Sequence, residues 1–207
     1  PAYPDCILHI CCVDKLLYPK AIGSGFNLSI QKKGPMVNYC SNCGQRLTYR
    51  MPPGDDRSRY FCESCGAIHY QNPRMVVGCI PEMEDKILFC RRAIEPCYGK
   101  WTLPAGYLEN GETVSAGARR ETFEEARARV EILAPYALYN ICYVNQIYLM
   151  FRARLMDQDF KPGSESLEVR LFSEAEIPWD EIAFRVIEKT LIQYFKDRPV
   201  GLFPFYI

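Results

Sequence analysis

From about residue 73 onward the chain changes hydrophobic rhythm several times, and each change predicts an element. Met75–Ile80 and Lys86–Arg91 are runs rich in Val, Ile, Leu and Phe on either side of the polar Glu82–Asp85, which reads as a hairpin of strands. Trp101–Pro104 predicts a short strand. Thr113 to about Arg127 holds no proline and one glycine, and it follows the turn signal Asn110-Gly111, so a helix is expected there. Arg129–Ala134, Ala137–Cys142, Gln146–Leu155 and Leu167–Phe172 read as further strands, with Gln158–Pro162 as a break. Ile182, Phe184, Ile187, Leu191, Ile192 and Phe195 recur at helical spacing and predict a helix over Ile182–Phe195. Strands, a helix, more strands and a late helix fit a mixed sheet between helices, an α/β fold.

Upstream, the rhythm gives way to cysteines. Cys40-Ser-Asn-Cys43-Gly and Cys62-Glu-Ser-Cys65-Gly are two knuckles with 18 residues between them, including a polar insert around Pro52–Arg59. That spacing fits four thiolates around one Zn²⁺ in a closed, structural site. Two disulfides or a redox pair are the competing reading; the trailing glycines, needed for a tight backbone turn, favour zinc. His69 is not needed as a ligand. Asn72-Pro73 marks a boundary, so the expected organisation is an N-terminal extension at 1–35, a zinc ribbon at 36–72 and a larger domain at 73–207. The extension is unlike a secretory signal: Ile7–Val13 is interrupted by His9 and lacks a basic flank. It has no arginine and carries Asp5 and Asp14, unlike a transit peptide. Met36 lies four residues before the first zinc ligand and is the expected start of the functional protein, the alternative being a stub packed on the ribbon.

Composition narrows the partners. Lys+Arg and Asp+Glu both number 25, so the chain lacks the diffuse positive field that drives nucleic-acid binding. The apolar runs are far too short to span a bilayer. Eleven cysteines form no disulfide pattern, and Cys79, Cys90 and Cys142 read as buried thiols, so a reducing, cytoplasmic setting is expected. A plastid is the alternative if the extension is the remnant of a transit peptide.

The richest segment is 106–128, GYLENGETVSAGARRETFEEARA. On a helix Glu121, Glu124 and Glu125 fall at i, i+3 and i+4, so three carboxylates share one face. A solvated acidic face is the bland explanation. The sharper one is a hard divalent ion, Mg²⁺ or Mn²⁺, which binds few carboxylates and shares its other positions with water and phosphates. Arg120 is expected to face a different side from the carboxylates' centre.

With Gly106, Glu112, Arg120, Glu121, Glu124 and Glu125 in register, this segment resembles the Nudix box, the signature of Nudix hydrolases. Two positions depart: Arg127 stands where the family has glycine, and Thr122 where an aliphatic is commoner. Arg127 takes a left-handed backbone less cheaply than glycine, so a different helix exit is expected. The resemblance implies an α/β/α sandwich with a mixed sheet over about 73–207. It implies hydrolysis of a nucleoside diphosphate linked to another moiety, with Glu121, Glu124 and Glu125 holding Mg²⁺ or Mn²⁺ and the Gly106 carbonyl as an extra ligand. Arg120 would orient a box glutamate and Glu112 would brace the preceding loop. Glu165, ahead of Glu168, is the choice for a distal glutamate acting on metal or water, and Arg91 and Arg92 are candidates for phosphate contact.

Ribbon plus box resembles two branches, the NADH pyrophosphatases and the ADP-ribose/FAD diphosphatases. The Ser-Gln-Pro-Trp-Pro-Phe-Pro-type segment of the first is absent from Tyr139–Tyr148, and Gly163–Phe172 is closer to the second. FAD or ADP-ribose is therefore the leading substrate expectation, NADH or NAD the alternative. A binding protein that uses the ribbon on nucleotide or nucleic acid is the non-enzyme alternative. A homodimer is also expected.

Overall fold

A computed structural model describes residues 37–207; His9, the extension at 1–35 and the expected start at Met36 lie outside the described residues. The described chain falls into two compact units, 37–73 with 142–145, and 74–141 with 146–207.

The smaller unit is built on three short strands, β1 (Thr48–Arg50), β2 (Arg59–Phe61) and β3 (Ile68–His69), paired antiparallel in that order. One cysteine pair precedes β1 and the other links β2 to β3.

The larger unit contains β4 (Arg74–Met83), β5 (Lys86–Arg92), β6 (Trp101–Thr102), β7 (Ala105–Tyr107), α1 (Val114–Ala126), β8 (Val130–Ile141), β9 (Gln146–Leu155), β10 (Ser166–Phe172) and α2 (Arg185–Asp197). Its sheet runs β10-β5-β4-β9-β8, with β6 beside β5 and β7 beside β4. β4 and β9 are parallel and the other pairs antiparallel, so the sheet is mixed.

Period-two alternation feeds two cores. Along β5, Ile87 and Phe89 enter one cluster and Leu88 and Cys90 the other. The first cluster is covered by Val186, Ile187, Leu191, Tyr194 and Phe195 of α2, and the second by Ala118 and Ala126 of α1. The result is the expected α/β/α sandwich, with the box helix backed by an apolar core.

Three expectations are corrected. The two strands expected between Arg129 and Cys142 are one strand, β8, with register shifts at Ile132/Ala134 and Pro135/Ala137. Pro135 reads as a break because it cannot donate a ladder hydrogen bond, yet the outer strand of a sheet tolerates it. Cys142 is exposed in the short 3-10 turn Cys142–Val144, because the chain leaves β8 there. Cys79 and Cys90 are buried thiols. The late helix starts at Arg185 rather than Ile182, because Ala183 donates its N–H to the Trp101 carbonyl (2.8 Å) and the preceding residues run beside β6.

Candidate functional site: a carboxylate cluster on the box helix

α1 is delivered by a short connection from β7. Thr113 caps it, its hydroxyl accepting the Ala116 N–H at 3.2 Å. Its exit is Arg127, which itself adopts the left-handed conformation (φ 52°) and donates its N–H to the Phe123 carbonyl at 2.8 Å. The helix thus ends in the way a glycine would end it, with the Arg127 guanidinium lying over the Phe123 ring. Thr122 is fully buried and donates its hydroxyl to the Ala118 carbonyl at 2.8 Å, so it fits an apolar position.

The three box carboxylates are graded in burial. Glu125 is 8% exposed, Glu121 is half-buried, and Glu124 is exposed. Arg120 ties Glu121 and Glu124 to the loop before the helix. Its guanidinium donates twice to Glu112 (3.1 and 2.7 Å), once to Glu121 (2.8 Å), once to Glu124 (3.1 Å) and once to the Tyr107 carbonyl (3.0 Å). Contrary to expectation, then, its head does not face away from the carboxylates; the long side chain folds back across the helix to reach them. Glu112 also accepts the Glu109 N–H (2.8 Å), which ties the loop before α1 to the helix.

Gly106 lies against the Glu121 carboxylate, and a Cβ there would overlap that carboxylate. The β7 backbone and Glu121 can approach only because position 106 has no side chain.

Charge is unevenly compensated. Burial pushes the Glu125 carboxyl up to about 8; Glu121 and Glu165 add to this, while Arg92 and the Ala105 N–H oppose it. Burial also raises Glu121, with Glu124 and Glu165 adding and Arg120 opposing. Glu165 therefore belongs electrostatically to the cluster, whereas Glu168 pairs with Arg91 (3.8 Å). Arg91 donates to the Gly99 carbonyl and Arg92 to the Pro96 carbonyl, both at 2.8 Å, so both arginines brace the loop after β5. Arg92 also lies over the Phe184 ring. A hard cation fits these donors: they are oxygen ligands, negative in excess, and part of their charge has no partner but each other.

The ribbon presents the opposite chemistry. Its four sulfurs lie within 4.8 Å of one another, with Cys40–Cys65 at 3.6 Å and Cys43–Cys62 at 3.4 Å, non-bonded separations. The two knuckles are local copies: Gly44 and Gly66 take left-handed backbone and donate to the Cys40 and Cys62 carbonyls at 2.8 and 2.9 Å. His69 Nε2 stands 3.3 Å from Cys40 Sγ, supporting a ligand rather than replacing one. Burial works against the Cys40 thiolate, but the Asn42 N–H and His69 outweigh it and hold the thiol at about 6. At Cys65 the Ala67 N–H favours the thiolate, but the neighbouring Cys43 and Cys62 outweigh it and hold the thiol at about 12. Four thiols so crowded ionise together only around a cation, and a tetrahedral thiolate set fits zinc.

Fold and site together define the class. The chain belongs to the Nudix family: residues 72–194 match the NUDIX domain, and residues 38–71 match the zinc-ribbon module described as Nudix N-terminal. The crystal structure of a NUDIX hydrolase from Nitrosomonas europaea is 56% identical, covers 82% of this chain and 98% of that chain, and superposes with a TM-score of 0.79. The NAD-capped RNA hydrolase NudC of Photobacterium profundum is 24% identical over 159 residues, 74% of this chain. The chain spans 58% of the length of that relative. An ADP-ribose pyrophosphatase of Methanocaldococcus jannaschii is 27% identical over 113 residues, 53% of this chain and 67% of that protein. No helix among the described residues is long and apolar enough to cross a membrane.

Sequence reasoning did not find the Tyr107 carbonyl as an Arg120 acceptor, the Arg92 charge near Glu125, or the His69 contact to Cys40. A backbone acceptor carries no residue-type signal, and the other two depend on strand pairing.

Proposed function

We propose that the chain hydrolyses the pyrophosphate bond of nucleoside diphosphate-linked compounds, FAD or ADP-ribose first among them, and releases AMP. The carrying observation is three carboxylates on one helix, Glu121 and Glu124 held by Arg120 and Glu125 buried beside them, with the charge of Glu165 acting on Glu121 and Glu125. In this reading Glu121, Glu124 and Glu125, with the Gly106 carbonyl, hold Mg²⁺ or Mn²⁺. Such an ion, when bound, neutralises phosphate oxygens and lowers the pKa of a water. Arg120 fixes the directions of Glu121 and Glu124 and shields the repulsion between them. Glu165 completes the oxygen shell or takes the proton of the attacking water on its carboxylate. Arg92 is the better placed of the two arginines to meet a phosphate, since its charge already reaches the cluster. The four cysteines hold a structural Zn²⁺ in a ribbon at 36–72, the hydrolytic domain is 73–207, and residues 1–35 are dispensable. The same reading has the protein cytoplasmic and homodimeric, acting on small nucleotide-type substrates.

The likeness to an ADP-ribose pyrophosphatase supports the substrate choice. A second reading, an NADH or NAD pyrophosphatase, draws on the relatives named NAD-capped RNA hydrolase. A panel of ADP-ribose, FAD, NADH and coenzyme A with Mg²⁺ or Mn²⁺ separates them. AMP from FAD or ADP-ribose at the highest kcat/KM supports the first reading; preference for NADH replaces it with the second.

A further inference from the structure

The segment between β9 and β10 crosses the C-terminal end of α1. It begins at Asp157, which pairs with Arg129 (2.8 Å) and accepts the Asp159 N–H (3.0 Å). Phe160 then packs against the core beneath α1. The next residues meet the helix end directly: the Lys161 N–H donates to the Ala126 carbonyl and the Gly163 N–H to the Glu125 carbonyl, both at 2.9 Å. These carbonyls lie in the last turn, where a helix has no internal donors left, so the segment acts as a cap supplied from elsewhere in the chain.

Gly163 is the closest point of that crossing. A Cβ on it would fall on the Glu124 carbonyl oxygen, a backbone atom that can move only by shifting Glu124 and Glu125 themselves. Its φ is outside the left-handed region, so glycine is required here for space and not for backbone freedom. Two residues later comes Glu165, whose carbonyl accepts the Ala93 N–H at 2.8 Å, while Ser166 N–H closes a turn on the Gly163 carbonyl (3.2 Å). Glu165 is thus pinned on one side to α1 through Gly163 and on the other to the residue after β5.

We propose that Gly163 is a positioning residue: by letting residues 160–165 lie against the backbone of Glu124 and Glu125, it sets Glu165 at its distance from the box carboxylates. The proposal rests on the reading of Glu165 as a member of the cation site. An added methyl at 163 meets the Glu124 carbonyl on the packed helix, so the strap lifts and carries Glu165 away from the box carboxylates. Losses of about 10–100-fold in metal affinity are usual when a supporting group of a metal site is disturbed.

Binding of Mn²⁺ alone, titrated by electron paramagnetic resonance on the zinc-loaded full chain, tests this without any turnover. Gly163→Ala and Glu165→Gln are each expected to weaken Mn²⁺ binding about tenfold or more. The double variant is expected to bind as weakly as the weaker single variant, because both act through one carboxylate. Parent-like affinity in Gly163→Ala overturns the proposal, and so do losses that multiply in the double variant, since a general structural defect adds independently of Glu165. If Gly163→Ala does not fold, Phe160→Ala loosens the same strap without a clash, and its loss must likewise vanish in the Glu165→Gln background. A parent protein that binds Mn²⁺ but cleaves no nucleoside diphosphate-linked compound refutes the proposed reaction and leaves this comparison to decide the role of Gly163.

Discussion

The ribbon and the box helix both gather ligands that suit a cation, and they do so in opposite ways. In the ribbon the ligands are soft, closed on themselves and held by two local knuckles on three short strands. On the box helix they are hard, graded from buried to exposed, and borne by an element packed on an apolar core. A structure without a large core depends on its ion for folding, whereas one with a core keeps its shape and uses the ion for chemistry. The difference predicts which variants unfold the protein and which only silence it.

The largest expected effect is in the ribbon. Structural zinc contributes about 10–16 kcal/mol of apparent binding free energy in small modules, more than so small a unit gains by packing. Cys43→Ser or Cys62→Ser should unfold residues 37–73 while amides of α1 and the central strands stay protected in hydrogen exchange. Metal analysis of the parent should find one zinc per chain; zinc-free protein with the four thiols bridged would remove this half of the comparison.

The next effect is on the helix. Glu124→Gln and Glu125→Gln keep shape and remove charge, so turnover should fall by about 10²–10³-fold, the range for losing a group that stabilises transition-state charge. The melting midpoint should hold, and for Glu125 it should rise in divalent-free buffer.

That rise follows from the raised carboxyl. The folded chain holds the Glu125 proton more tightly than the unfolded chain does, so ionisation opposes folding. Stability of the divalent-free protein is full below the ordinary glutamate range and should be lost as pH rises toward about 8. Urea midpoints measured from about pH 5 to about pH 9 should show this fall. Added Mn²⁺ should flatten it and Glu125→Gln should remove it. A pH-independent midpoint in the parent would mean that Glu125 is not a charge held in reserve for a cation.

The smallest effect is expected at Glu112. Glu112→Gln keeps an acceptor for the Glu109 N–H and loses only its charge toward Arg120, so stability should drop slightly and turnover by less than for the box glutamates. A loss equal to that of Glu125→Gln would make Glu112 part of the cation site.

What can be read from the sequence follows the same division. The knuckles and the box carboxylates are close in the chain, so spacing alone places their ligands together. The helix is legible to within a residue because the turn signal Asn110-Gly111 precedes a stretch without proline. What spacing cannot show comes from distant strands. Arg120 turns back on the carboxylates because Glu112 and the Tyr107 carbonyl wait there, an arrangement created by β7 pairing with β4. Glu165 nears the helix because residues 157–163 loop under its end, and in the sequence glycine at 163 looks like any loop glycine. Pro135 and Cys142 mislead for the converse reason: residue type indicates a break and a buried thiol, and their places in an outer strand and a turn decide otherwise.

The most direct test of the central claim is hydrolysis of ADP-ribose and FAD in ¹⁸O-labelled water, using zinc-loaded protein dialysed free of other divalent ions. The account predicts no turnover until Mg²⁺ or Mn²⁺ is added. It then predicts AMP with ribose 5-phosphate or FMN, the label on a product phosphate, and Glu125→Gln slower by about 10²–10³-fold. Turnover without an added divalent ion, label on a sugar carbon, or full activity in Glu125→Gln would contradict the assignment of this helix as the catalytic metal site.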